Sequence, residues 1–294
     1  VNEVAPTPAS PVQRTCTVLR SSRVAAYTRL RLAAPEIGSA AAPGQFVAFA
    51  VGGPTSSLLL RRAVAVYAAD ADGIEVVVAA HGPGTQWLTR RQPGDQVDVV
   101  GPLGRPFPDP DRPGPVVVVG GGYGAAALVG LTARLRRQGR PVTAVLGAAS
   151  ADRLFGAADL EGLGAAVLVS TDDGSLGTRG LVTSLLSGSS GSAAAAVAEA
   201  AAVYACGPMA MLAATAAVAA RVGVACWCSV EESMACGIGV CMTCVLPVVG
   251  ADGRTRMVRS CVAGPTFDGR AVRWADVGTV PPDTVGAPRA GAGH

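Results

Sequence analysis

A chain of 294 residues, half of them apolar but only 4% aromatic, can bury a sizeable core, and it must build that core largely from Ala and Val. The net charge of +3 rests on arginine alone, since the sequence has no lysine, and the arginines pair up only at 61–62, 90–91 and 136–137, which excludes the basic stripe of a nucleic-acid binder. The longest apolar stretches, 115–131 and 193–205, are interrupted by glycines or by Glu199 and fall short of the roughly 18 unbroken apolar residues of a membrane span.

In chain order, residues 1–13 are rich in Pro and Ala without a basic flank or an apolar run, so an unstructured tail is expected and not a signal peptide; a cytoplasmic location is the corresponding expectation. Residues 14–110 alternate short β-like runs with Gly/Pro turns, among them Arg14–Leu19, Gln45–Val51, Ala63–Ala68, Ile74–Ala79 and Gln96–Val100. Such spacing predicts an antiparallel β-barrel. After the Pro/Gly linker at 111–115, residues 115–225 alternate strands and helices. Val116–Val119 is a continuous β-branched run suited to a buried parallel strand. Leu128–Gln138 reads as a helix, Val142–Leu146, Val167–Ser170 and Val203–Cys206 as strands, and Met209–Arg221 as a helix. This is a doubly wound α/β pattern. Residues 226–278 are Cys- and Gly-rich and too few for a hydrophobic core of their own, so a metal centre is expected to supply stability. Residues 279–294 are again expected to be unstructured.

Of the eight cysteines, Cys236, Cys241, Cys244 and Cys261 form the pattern C-x4-C-x2-C-x16-C. The spacing matches plant-type [2Fe–2S] ligation. Gly237 and Gly239 let the loop approach a cluster closely, and neighbouring N–H groups can donate to its sulfurs. A structural zinc site is the competing reading, although zinc favours two short paired spacings and only one C-x2-C is present. Cys226 and Cys228, at i and i+2 of a β-like stretch, read as small buried hydrophobes before they read as further ligands, and Cys16 reads the same way.

Gly120, Gly122 and Ala125 form a G-x-G-x-x-A array between a strand and a helix, a signal shared by nucleotide loops and by tight strand–helix packing. The carboxylate expected about 20 residues later is missing, so a standard Rossmann NAD site is not supported and a related site with another ribose contact stays open. Asp172 and Asp173 suit either a turn or a nucleotide cleft. Arg62 is either a solvated charge or a phosphate ligand. With His81 and His294 as the only histidines, no base is placed to make Cys206 a nucleophile. Trp87 and Trp227 read as packing residues.

Taken together, the motifs resemble the electron-transfer subunit of the two-flavin, NAD-dependent type of dihydroorotate dehydrogenase, within the ferredoxin-reductase-like group, over about residues 14–275. Pro43-Gly-Gln-Phe-Val, Arg61-Arg-Ala-Val-Ala, Gly84-Thr85 and Gly101-Pro-Leu-Gly resemble the family's FAD-binding barrel. Gly120-Gly-Gly-Tyr-Gly, Thr171-Asp-Asp-Gly-Ser-Leu-Gly-Thr-Arg-Gly and Cys206-Gly-Pro-Met resemble its nucleotide-binding motifs, and Met234-Ala-Cys-Gly through Cys244 with Cys261-Val-Ala-Gly-Pro-Thr-Phe its cluster segment. The resemblance implies FAD contacts at Arg62, Ala63, Val64, Ala65, Gly84 and Thr85, and NAD contacts at Gly120, Gly121, Gly122, Gly124, Thr171, Asp172, Asp173, Cys206, Gly207 and Pro208. It implies cluster ligation by Cys236, Cys241, Cys244 and Cys261. Ala63, Ala65, Ala79, Tyr123 and Ser233 stand where the family usually carries Pro, Ser, Arg, Ile and Arg.

The implied fold is an FAD-binding β-barrel at 14–110, an NAD-binding α/β domain at 115–225 and a [2Fe–2S] domain at 226–278. The implied activity is electron transfer in pyrimidine biosynthesis. Hydride carries two electrons and a cluster accepts one at a time, so a flavin belongs between them. The implied partner is an FMN-containing catalytic subunit that binds dihydroorotate, in a heterotetramer. A reductase component serving an oxygenase, a hydrogenase or a sulfur-reducing enzyme shares the same domain order, and a cluster-bearing redox sensor is the alternative of another class.

Overall fold

A computed structural model describes residues 10–53, 55–187 and 191–287. The first part is a closed six-stranded antiparallel barrel of β1 (Val12–Val24), β2 (Tyr27–Ala33), β3 (Phe46–Phe49), β4 (Arg62–Asp70), β5 (Gly73–Val78) and β6 (Gln96–Leu103), in spatial order β1-β2-β5-β4-β3-β6. Alternation explains the closure: Cys16 and Val18 of β1 and Leu30 and Leu32 of β2 point inward, while Arg29 and Arg31 point outward. The short helices α1 (Pro35–Ala40) and α2 (Pro83–Thr89) bury Ile37 and Leu88 in the same core. The Gly101-Pro-Leu-Gly stretch falls at the end of β6, which pairs with both β1 and β3 and so completes the ring.

One strand serves two faces. Val47 and Phe49 of β3 fill the barrel core, while Phe46 and Ala48, on the opposite side of the pleat, pack against Cys244 and Cys261. That period of two fixes the C-terminal segment to the barrel's outer wall.

The second part contains β7 (Val116–Gly121), α3 (Ala126–Arg137), β8 (Val142–Ala148), α4 (Ala157–Gly162), β9 (Ala166–Thr171), β10 (Thr178–Arg179), α5 (Val182–Ser187), α6 (Ser192–Glu199), β11 (Ala202–Cys206), α7 (Met209–Arg221) and β12 (Cys226–Ser229). The sheet runs β10-β9-β8-β7-β11-β12 in parallel, so the chain reverses its direction of winding between β7 and β11. Ligands of doubly wound sheets lie at the carboxyl ends of the strands beside that reversal. The helix α3 presses on the barrel: a Cβ on Gly130 would sit 3.2 Å from the Tyr67 carbonyl oxygen, so a small residue is needed at this crossing. Tyr67 and Tyr27 of the barrel both meet Phe155 edge-on.

The third part adds β13 (Val245–Val249), β14 (Thr255–Arg259), α8 (Ser260–Ala263) and β15 (Thr266–Asp268). β13 and β14 form a hairpin, while β15 joins the large sheet antiparallel to β12. The border expected at 225/226 therefore runs through a shared sheet, because β12 and β15 both belong to it. Leu246, Phe267 and Val272 complete the α/β core and leave the segment none of its own.

The termini differ from expectation where they are described. Val12 and Gln13 pair with Gly101 and Val100. Residues 279–287, expected to be unstructured, are strapped to the hairpin: Val285 N–H donates to the Thr255 carbonyl, and Asp283 accepts from Arg273 and from the Thr255 hydroxyl. A composition rich in Pro and Gly conceals these long-range bonds. Residues 1–9 and 288–294 lie outside the described residues. No described helix is long and apolar enough to cross a membrane.

Candidate functional site

A cavity of about 980 Å³ opens between the barrel wall and the carboxyl ends of β7, β8, β9 and β11. That is the upper end of the range for small-molecule sites. Its barrel side carries Ala63, Val64 and Ala65 of β4, Ala79 and His81 beyond β5, and Thr85 of α2. Arg62 does not face the cavity. Its guanidinium donates to the Leu60 and Arg61 carbonyls and lies so close to Gly84 that a Cβ there would stand 2.5 Å from Nε. Arg62 and Gly84, far apart in sequence, thus meet next to Thr85, which lines the cavity. The Thr85 hydroxyl is occupied locally, accepting from the His81 and Gly82 N–H groups and donating to the Gly82 carbonyl.

On the sheet side the glycine loop divides by role. A Cβ on Gly120 would strike Ala125 and Leu146, one on Gly121 would strike Pro208 and Met211, and one on Gly124 would strike the Cys206 carbonyl. These three glycines allow strand, helix and the Cys206-Gly207-Pro208 turn to pack together. Gly122, at φ +53°, has nothing nearer than the Tyr27 hydroxyl at 3.8 Å, and its missing side chain leaves room in the cavity. Both readings of the array hold, at different glycines. Cys206 ends β11 opposite Gly120. Burial pushes its thiol up to about 12, with the Ser229 hydroxyl pulling down and Glu231 pushing up, so it stays protonated.

The Thr171-Asp-Asp stretch also divides. Thr171 is buried, and its hydroxyl exchanges hydrogen bonds with the Leu176 backbone. Asp173 accepts from the Ser175 hydroxyl and N–H, which hold its carboxyl below the usual range. Asp172 alone of the three lines the cavity.

The four thiols of the C-terminal segment differ in exposure. Cys244 and Cys261 are buried together against Phe46 and Ala48, while Cys236 is partly buried and Cys241 is exposed, its thiol 2.7 Å from the Thr243 hydroxyl. Burial raises the Cys236 thiol, but the N–H groups of Cys241, Ile238 and Val240 and the Cys241 thiol outweigh it and bring it to about 6. The Val240 N–H stands 3.4 Å from the sulfur. Burial and Cys244 push Cys261 up to about 12, against a hydrogen bond from the Gly239 N–H. Gly237 and Gly239 hold φ of +72° and +88°, which turns the loop's N–H groups toward the sulfurs.

Among the described residues no three His, Cys, Asp or Glu side chains close on one point suited to a single ion. An all-thiol donor set spaced C-x4-C-x2-C with a fourth Cys downstream suits a binuclear iron–sulfur cluster. Cys226 and Cys228 lie apart from the loop, buried in the sheet with their sulfurs 3.7 Å from each other; Cys16 is buried in the barrel. Trp87 stacks under Arg91, and Trp227 packs against the α/β core.

The cavity and the thiols share a wall. Phe46 and Met234 line the cavity and also pack with Cys244 and Cys261. The sequence reading did not reach a second feature of the cavity: Tyr123, in the glycine loop, donates from its hydroxyl to Glu231 at 2.6 Å and lies beside Tyr27 and His81. Burial and Glu231 both raise the Tyr123 pKa, so the phenol remains a donor. The pair spans 108 residues, and the one local hint was the Glu231-Glu232 doublet just ahead of the cysteine loop.

A closed barrel facing the carboxyl edge of a doubly wound sheet, with a thiol loop seated on the barrel's outer wall, defines an iron–sulfur protein of the ferredoxin-reductase-like class. Residues 231–273 match the iron–sulfur cluster binding domain of dihydroorotate dehydrogenase B. The electron transfer subunit of dihydroorotate dehydrogenase B (NAD(+)) from Desulforamulus reducens is 34% identical over 243 residues, covering 82% of this chain and 90% of that one. The chain belongs to this family. The corresponding subunit from Geobacillus thermodenitrificans is 37% identical over 230 residues, covering 76% and 84%. Among solved structures, that of an NADH-dependent reduced ferredoxin-NADP oxidoreductase, studied for flavin-based electron bifurcation, matches with a TM-score of 0.75 at 28% identity, over 90% of this chain and 91% of that one.

Proposed function

We propose that the chain is the electron-transfer subunit of an NAD-linked dihydroorotate dehydrogenase, carrying electrons between a dihydroorotate-oxidising, FMN-containing partner and NAD in pyrimidine biosynthesis. The observation that carries the reading is the wall formed by Phe46 and Met234, one side chain thick between the cavity and the thiols. Cys236, Cys241, Cys244 and Cys261 hold the [2Fe–2S] cluster. Ala63, Val64, Ala65, Gly84 and Thr85, with Arg62 behind them, hold FAD. Gly122, Asp172, Cys206, Gly207 and Pro208 hold NAD, with Gly120, Gly121, Gly124, Thr171 and Asp173 shaping its site. Bound together, these groups supply one-electron transfer at the iron, two-electron transfer at the nicotinamide, and exchange between the two at the flavin.

The chain's own residues provide position. The β4 wall and the glycine loop face each other across the cavity, which brings flavin and nicotinamide sites together. The protonated Cys206 offers the nicotinamide end a neutral surface. The positive-φ glycines direct N–H groups at the sulfurs and favour their thiolate form. Eight cysteines without a disulfide, four of them committed to iron, suit the reducing cytoplasm. A heterotetramer with the catalytic subunit is the working assembly.

Anaerobic purification with iron, sulfide and flavin analysis tests the reading. About two irons and one FAD per chain, with NADH-driven bleaching of the cluster's visible absorption, are expected. Zinc in place of iron, or iron with no response to NADH, would sink it.

A further inference from the structure

The cluster loop has a cation whose charge no described carboxylate balances. Arg259 ends β14, two residues before Cys261, and is half-buried. Its Nη1 donates to the Gly239 carbonyl, twenty residues away in the chain. Gly239 lies in the loop between Cys236 and Cys241, so this bond ties the guanidinium to the thiol-bearing loop. A Cβ on Gly239 would run into Val262 and approach Arg259 Nη1 to 3.6 Å, which keeps the position small and the guanidinium close. Among the described residues, the ion pairs of this segment involve Arg256, Arg270 and Arg273, and none involves Arg259. Arg61 reaches the Ala48 carbonyl on the same wall of the barrel but is neutralised by Asp98 at 2.5 Å.

A half-buried charge held by one carbonyl is costly unless a counter-charge completes it. Four thiolates and two sulfides around two ferric ions carry a net negative charge, which grows by one when the cluster takes up one electron without a proton. We propose that Arg259 is the counter-charge of the loaded cluster, a positioning residue that holds the loop through Gly239 and raises the cluster's reduction potential by favouring the more negative, reduced form. The inference rests on the iron–sulfur reading above and deepens it.

The test is an EPR-monitored redox titration of the anaerobically purified chain, wild type beside R259K and R259Q, with iron and sulfide measured on each. R259K keeps the charge, so it loads fully and titrates with the wild type. R259Q loads but titrates lower by about tenfold in the one-electron equilibrium, about 59 mV. If R259Q takes up no iron while R259K loads at the wild-type midpoint, the charge is needed to hold the cluster at all, which also supports the assignment. Fully loaded R259Q with an unchanged midpoint overturns it. So does failure of R259K to load while it still binds NADH, which would make Arg259 a structural strut. A wild-type chain without a [2Fe–2S] signal is a different failure and strikes the proposed function itself.

Discussion

The barrel and the C-terminal segment solve the problem of stability in opposite ways. The barrel closes on itself around Leu30, Leu32, Phe49, Ile74 and Val99, all essentially inaccessible to water. The segment after β12 has a hairpin, one sheet-edge strand and a thiol loop, and its large apolar side chains complete a neighbour's core. Two regions of one chain therefore have different dependences: one on apolar burial, the other on a docking surface and on iron.

Removing iron sharpens that contrast most. Cys261→Ser is expected to abolish iron retention and to slow electron passage to the partner subunit by about 100-fold or more. NADH-driven reduction of a dye that accepts from the flavin should survive. In hydrogen exchange the hairpin and the 279–287 strap should lose protection while β1 to β6 keep theirs; equal loss in both regions would break the comparison. Leu30→Ala is the converse test, expected to cost about 2–5 kcal/mol and to lower the urea midpoint of the barrel whether or not iron is bound. Iron rescue of that variant would show that the barrel is not self-sufficient.

A smaller effect is expected at the flavin wall. Ala65→Ser restores a hydroxyl facing the cavity, and one hydrogen bond of about 0.5–1.5 kcal/mol should tighten FAD by about 2- to 10-fold in a dilution assay. The smallest concerns the strap. Arg273 holds the Asp283 carboxyl below the ordinary range, so the folded state binds its proton less readily than the unfolded chain. The contribution is complete above the ordinary carboxylate pKa of about 4 and is lost as pH falls through the lower folded value. Asp283→Asn should remove this acid-side dependence, and chemical shifts of residues 279–287 followed against pH will read it.

Patterns with a short period were legible in the sequence. The short β-like runs Arg14–Leu19 and Gln96–Val100, the valine run of β7 and the cysteine spacing each follow from local geometry, and the structure carries them as strands and a cysteine-bearing loop. What was hidden joins distant residues. Nothing near Tyr123 announces Glu231, and nothing in a Pro/Gly-rich tail announces Arg273. The 225/226 border was misplaced for the same reason: a Cys-rich composition says where ligands gather, but not that Cys226–Ser229 pair with β11 and Thr266–Asp268 with β12. The glycine loop shows the limit at a single motif, since packing and ligand space demand the same residue.

The partition made by Phe46 and Met234 has a consequence for traffic. Electrons tunnel through one layer of hydrocarbon and sulfur, whereas water and protons do not cross it. Two electrons that enter from the iron side and leave as one hydride need one proton, which must arrive through the cleft that Tyr123 and Glu231 line. The protein keeps two separate supply routes, and the rate at which solvent reaches the cleft can limit a chain whose wiring is fast.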